Sequence, residues 1–123
     1  MAMKEVFLYA SEAAVAGTGT SAIYKASDFL GAEGTATENV TLFNFRKSDG
    51  SKALGASDGG SATLALTHTA NAKIEVMKAM AELMASPGGF KIVADEENGI
   101  FMDCPNIAST GTAVTISEAD VTI

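Results

Sequence analysis

The stretch "NAKIEVMKAMAELMASPGG", Asn71 to Gly89, is the one strong helix signal in the sequence. What its apolar side covers decides the fold. At about 100° per residue, Ile74, Val76, Met77, Met80, Ala81, Leu83 and Met84 fall within roughly half the circumference. The polar strip is narrow: Glu75, Lys78 and Glu82, with Lys78 three and four residues from the two glutamates, a stabilisation of a few tenths of a kcal/mol. Thr69 or Asn71 supplies the N-cap, and Pro87, Gly88 and Gly89 stop the helix, which therefore spans about residues 71–86. Met77 and Met84 lie nearest the centre of the arc and are expected in the core. Met80 lies toward the Leu83 and Val76 flank, which is expected to be the more exposed.

Outward from the helix the signals are strands. "ATLALTHT" just before it alternates, with Leu64, Leu66 and His68 on one face and Thr63, Ala65, Thr67 and Thr69 on the other. "KEVFLYA" is apolar on both faces: Val6 and Leu8 one way, Phe7 and Tyr9 the other. "NVTLFNF" is also two-faced, with Val40 and Leu42 opposite Phe43 and Phe45. "IYKASDFLG" reads as a short strand and turn. "GFKIVADEENGIFM" reads as a hairpin turning at Asn98-Gly99. "GTAVTISEADVTI" offers one or two further strands. "SEAAVAGTGTSA" is either a short helix at Glu12 to Ala16 or a loop. Arg46 to Ser61 holds four glycines, four serines and two Asp-Gly steps, the pattern of a mobile hairpin excursion with little to bury.

The expected fold is α+β in a single domain, residues 1–123: mainly antiparallel sheet, as an open barrel or sandwich, with one main amphipathic helix. A helix about 10 Å across covers about two strands spaced at ~4.8 Å. Six or seven strands, several of them two-faced, need more cover than that. Either the strands close into a barrel or sandwich, or a second copy supplies the missing layer. We therefore expect a homo-oligomer, with Met80, Leu83, Val76, Phe43, Phe45, Phe7 and Tyr9 as interface candidates. Methionine suits such contacts because it adapts to irregular surfaces.

Composition narrows the function classes. A chain of 123 residues with 47% hydrophobic content can bury a core, but without tryptophan that core is built from small, β-branched and methionine side chains. Fifteen acidic against eight basic groups leave a net charge of −7. Nucleic acids and anionic membranes bind mainly through Lys and Arg, so neither is an expected partner. The helix also lacks the basic polar face of an interfacial helix. No run approaches the ~20 apolar residues of a membrane span, and "VFLYA" is too short for a signal peptide. The expected place of synthesis is the cytoplasm.

Candidate chemistry is sparse. "GTGTS" lacks the Gly-Lys-Ser/Thr ending of a phosphate loop. "DEENG" bunches carboxylates without the alternating ligands of a calcium loop and reads as a solvated turn. His68, the only histidine, ends an apolar strand face and reads as a satisfied, partly buried group. It has no nucleophile and acid in view. Cys104, the only cysteine, excludes an internal disulfide and reads as a structural thiol. No catalytic, cofactor-binding or metal-ligating residue is assigned, no cofactor is expected, and the chain is expected not to be an enzyme.

An ordered set of motifs remains: "YKASDFLG" at Tyr24 to Gly31, the strand "VTLFNF", a polar loop, "ATLALTHTANAKIEVMKAMAELM", and "GGFKIVADEENGIFM" before a Thr-rich end. In that order and spacing, over roughly Ser21 to Ser117, the chain resembles small virion-associated structural proteins of marine bacteriophages of the cyanophage type. The resemblance implies a structural, non-enzymatic virion component. Joined to the homo-oligomer expected from the strands, the leading reading is a subunit that self-associates, contacts other virion proteins and decorates or completes the particle. It carries over no site residues. The long "GSKALGASDGGS" loop departs from the pattern. The reading from a different class is a phage-encoded ligand-binding or host-modulating domain.

Overall fold

The computed structural model describes residues 5–13, 20–46 and 61–122. Among them are one helix, α1 (Lys73–Ala85), and eight strands: β1 (Val6–Ser11), β2 (Ser21–Lys25), β3 (Phe29–Gly34), β4 (Val40–Arg46), β5 (Ser61–His68), β6 (Gly89–Asp95), β7 (Ile100–Phe101) and β8 (Ile116–Thr122). They form two four-stranded sheets, ordered β2-β1-β6-β7 and β3-β4-β5-β8. The fold is α+β and mostly β, and neither sheet closes into a barrel.

All pairings are antiparallel except β1 with β6, which run parallel. That pair brings the two ends of the "GFKIVA" and "VFLYA" segments side by side. A parallel neighbour needs a long crossover, and here β2, three strands of the second sheet (β3, β4 and β5) and the helix all lie between them in the chain. The chain changes sheet abruptly after β2: a single 3-10 turn, Ala26–Asp28, separates it from β3 in the other sheet. Glu5 pins that crossover, its carboxylate accepting from the Ser27 amide at 3.1 Å and the Ser27 hydroxyl at 2.8 Å.

One buried cluster draws on both sheets and the helix. Val6, Leu8 and Ala10 come from β1, Phe43 and Phe45 from β4, Ala62, Leu64 and Leu66 from β5, Ala119 and Val121 from β8, and Val76 and Met80 from α1. Strand period 2 places each of these sets on one face. Tyr24 of the first sheet stacks on Phe45 of the second at 4.6 Å between ring centroids, and Phe29 meets the same ring edge-on at 5.5 Å. Each fully buried phenylalanine is worth roughly 1.5–3 kcal/mol of transfer free energy. The Tyr24 hydroxyl donates across to the Thr63 carbonyl at 3.3 Å. The sheets thus cover one another, and the helix closes the remaining side.

The helix differs from expectation in two ways. Met80 is fully buried, whereas Met77 and Met84 are half-buried. The buried stripe is Ala72, Val76, Ala79 and Met80, spaced i, i+4, i+7 and i+8. Ala72, Val76 and Met80 join the core cluster shared with the sheets, so the side that meets the core runs along one flank of the methionine arc and not through its centre. The helix also begins without a side-chain cap: its N-cap is Ala72. Asn71 instead takes a left-handed conformation at φ 63° and donates its amide to the Glu38 carbonyl at 3.2 Å, the αL geometry that Asn tolerates better than most residues. At the other end, the Ser86 hydroxyl donates to the Glu82 carbonyl at 2.9 Å.

Arg46 and Ser61 are register partners, so β4 and β5 are the two arms of a hairpin. The excursion between them, Lys47 to Gly60, expected to be mobile, lies outside the described residues, as do residues 14–19 of "SEAAVAGTGTSA".

Candidate functional site

The first sheet has two unlike faces. Val6, Leu8 and Ala10 point into the core, so the alternate residues of β1, Phe7 and Tyr9, point out. Register extends that outer face sideways. Phe7 is paired with Lys25 on β2 and Phe90 on β6, and Tyr9 with Ile23 on β2 and Ile92 on β6. The Tyr9 and Phe90 rings lie 5.6 Å apart. Phe7 is 39% exposed, Ile23 54% and Phe90 58%. Solvated sheet faces are commonly polar; this one carries two phenylalanines, a tyrosine and two isoleucines beside a single lysine.

Of the seven interface candidates read from sequence, only Phe7 and Tyr9 lie on this face. Phe43, Phe45, Val76 and Met80 are all within the chain's own core at 1% exposure or less, so they offer nothing to a partner. Leu83 is half-buried and packs against that core. Phe43 and Phe45 were judged by β4 being apolar on both faces. The face they share with Thr41 turned out to be the inner one, leaving Val40 and Leu42 half-buried outside. Ile23, Phe90 and Ile92 were missed. Their alternation was visible, but their company with Phe7 and Tyr9 depends on the β1–β6 parallel pairing, which no local signal announces.

The side chains best suited to chemistry are engaged in structure. His68 is buried; its Nδ1 lies 2.8 Å from the Thr69 carbonyl and its Nε2 2.8 Å from Thr41 Oγ1. A carbonyl only accepts, so Nδ1 carries a proton, and in that tautomer Nε2 accepts from the Thr41 hydroxyl. Burial, with the Asp103 and Glu75 carboxylates, pushes the Cys104 thiol up to about 11, the opposite of an activated nucleophile.

The glutamates at the strand ends are more organised than a solvated turn. β8 is the edge strand of the second sheet, and two of its outward amides are capped from the first sheet's loops. Glu12 Oε2 accepts from Val121 N at 2.7 Å and Glu96 Oε1 from Ala119 N at 3.1 Å. Glu12 also accepts from Thr20 N at 3.1 Å through its other oxygen. The Val121 amide is the main cause holding the Glu12 carboxyl below its ordinary value, with Thr20 and Asp120 adding to it. Asp120 is displaced upward, first by burial and then by Glu12. Burial and these two carboxylates push the Tyr24 phenol up as well. Within the "DEENG" turn, Asp95 is buried and accepts from Asn98 N and Nδ2.

A hollow of about 320 Å³ opens beside the start of α1, lined by Glu38, Asn71, Lys73, Ile74 and Glu75. The Lys73 ammonium is already bonded to the Thr35 carbonyl, and its stem crosses Gly34 so closely that a Cβ there would stand 2.8 Å from Cδ. Among the described residues, no cluster of three or more His, Cys, Asp or Glu is placed to hold a metal ion, and no helix is long and apolar enough to cross a membrane.

The chain matches no family model, no curated protein and no solved structure. The outer face of the first sheet is therefore read on its own chemistry.

Proposed function

We propose that the chain is a non-enzymatic structural subunit of a bacteriophage particle that self-associates and decorates or completes the particle. The observation that carries this reading is the exposed aromatic face of Phe7, Tyr9 and Phe90. A contiguous apolar face of this kind marks a protein–protein contact more often than it marks solvent. The motif order that resembles small virion proteins of marine bacteriophages supplies the setting: synthesis in the host cytoplasm, then a place on the virion among other virion proteins. The engagement of His68 and the raised Cys104 thiol favour a structural over a catalytic role.

The test is quantitative mass spectrometry of particles purified on a density gradient from an infected culture. The reading expects the chain at many copies per intact particle. Its absence from intact particles, with the protein left in the infected-cell lysate, would overturn the virion role in favour of a host-modulating or ligand-binding domain.

A further inference from the structure

We infer that the outer face of the first sheet is where a second copy of this chain docks, face against face, in a closed two-fold pair. The inference rests on the self-association reading above and names its surface and its geometry.

Register lays the face out as a grid. One row runs Lys25, Phe7, Phe90 and the next Ile23, Tyr9, Ile92. The row above is polar and already closed: Ser11 and Asp95 are buried, and Ser11 Oγ lies 2.9 Å from Ser21 Oγ. Ile100, the partner of Asp95 on β7, stands at the corner, 48% exposed. At the opposite margin, the Glu5 carboxylate is turned onto Ser27.

Area is sufficient. Phe7, Ile23, Phe90 and Ile100 each leave on the order of 100 Å² in water, taking ~200 Å² for a whole side chain of this size. A stable interface at the small end buries ~600 Å² per partner, about two thirds of it apolar in homodimers, which requires about 400 Å² of apolar surface. The four side chains supply that much, with Tyr9 and Ile92 in addition.

Charge selects the partner. Two chains of net charge −7 repel wherever their carboxylates meet. Within the two apolar rows there is no carboxylate, and Lys25 at one edge is the only full charge. A basic partner finds nothing to pair with there, and an acidic one finds a single ammonium. A second copy finds a neutral apolar face like its own and desolvates no carboxylate. Stacked sheet faces settle ~10 Å apart. Because the same patch serves both copies, the contact is isologous and closes at two.

The test compares the solution mass of the full wild-type chain with Phe90→Asp and Ile23→Asp, on separate strands of the face, and with Leu30→Asp, a residue as exposed but in the second sheet. Circular dichroism checks that each variant is folded. Phe90→Ser and Ile23→Ser serve the same comparison if a carboxylate unfolds the chain. The expected wild-type mass is twice the 12.5 kDa of one chain. Phe90→Asp and Ile23→Asp should weaken the pair roughly thirty-fold or more, as loss of a central interface residue does, and Leu30→Asp should leave it intact. An oligomer that survives both face variants overturns this surface while leaving self-association standing. A wild-type chain that stays at single-chain mass overturns self-association itself.

Discussion

The Glu12 carboxylate accepts the backbone amide of Val121 at 2.7 Å, across 109 positions of sequence. It joins the loop after β1 to the free edge of β8. Together with Glu96 on Ala119 it occupies outward amides of an edge strand that would otherwise be open to pairing with another chain. The two sheets are therefore held together at this end by charged side chains on backbone donors, as well as by the shared core.

Glu12→Gln should lower stability at neutral pH by about 1 kcal/mol, the scale of a hydrogen bond to a charged group discounted for the water that still reaches it. Wild-type stability should also fall in acid. Glu12 is held below its ordinary 4.5 in the folded chain, so its contribution is present above that value and is lost as pH falls from about 4.5 through the lowered folded value. Asp120 has the opposite sign. Its carboxyl is raised in the folded chain, which costs stability once it is ionised, so Asp120→Asn should be neutral or stabilising at pH 7. Urea unfolding at pH 7 and pH 4 reads all three. An acid loss as large in Glu12→Gln as in wild type would remove Glu12 as its source.

Thr41→Val keeps the shape of the side chain and removes the hydroxyl that donates to His68 Nε2. A buried acceptor left alone costs about 1–3 kcal/mol, and denaturant unfolding should show that loss. Nitrogen chemical shifts of the ring should report the proton on Nδ1, where the Thr69 carbonyl accepts it. A ring protonated at Nε2 would reverse the donor assignment.

Met80→Ala should cost ~2–5 kcal/mol, the range for a fully buried large side chain cut to alanine. Met77→Ala and Met84→Ala, half-buried on the flanks, should cost less than that. Equal losses at all three positions would mean that the helix is rotated from the orientation described.

How much of this was legible in the sequence divides along contact range. The alternation of Leu64, Leu66 and His68 is enough to place β5 and its inner face, and Asn98-Gly99 marks the β6–β7 turn, where Gly99 takes φ 70°. Those signals are local. Val6 and Leu8 against Phe7 and Tyr9 were separable by period 2, but which pair faces inward depends on what covers β1. The 3-10 turn at Ala26–Asp28 looks like any short turn, yet it moves the chain from one sheet to the other. Met80 was misplaced because the centre of the apolar arc was taken as the buried line, whereas the side that packs on the core runs through Ala72, Val76 and Met80. Glu12 and Glu96 carry no motif at all; their partners are backbone amides of β8, invisible until that strand is placed.

Cys104 should alkylate slowly in the native chain. With its thiol pushed up to about 11 from an ordinary 9.0, the thiolate fraction near pH 8 falls about a hundredfold, and half-burial slows access further. Iodoacetamide labelling should accelerate at least as much on unfolding in urea. Rapid native labelling would show a thiol far more open than this one.

The central claim is that this chain works by associating with itself, and the mass of the wild-type protein across a dilution series measures it most directly. Sedimentation equilibrium from high to low micromolar concentration should show a species of at least twice 12.5 kDa that dissociates on dilution. A single species at 12.5 kDa throughout would contradict it.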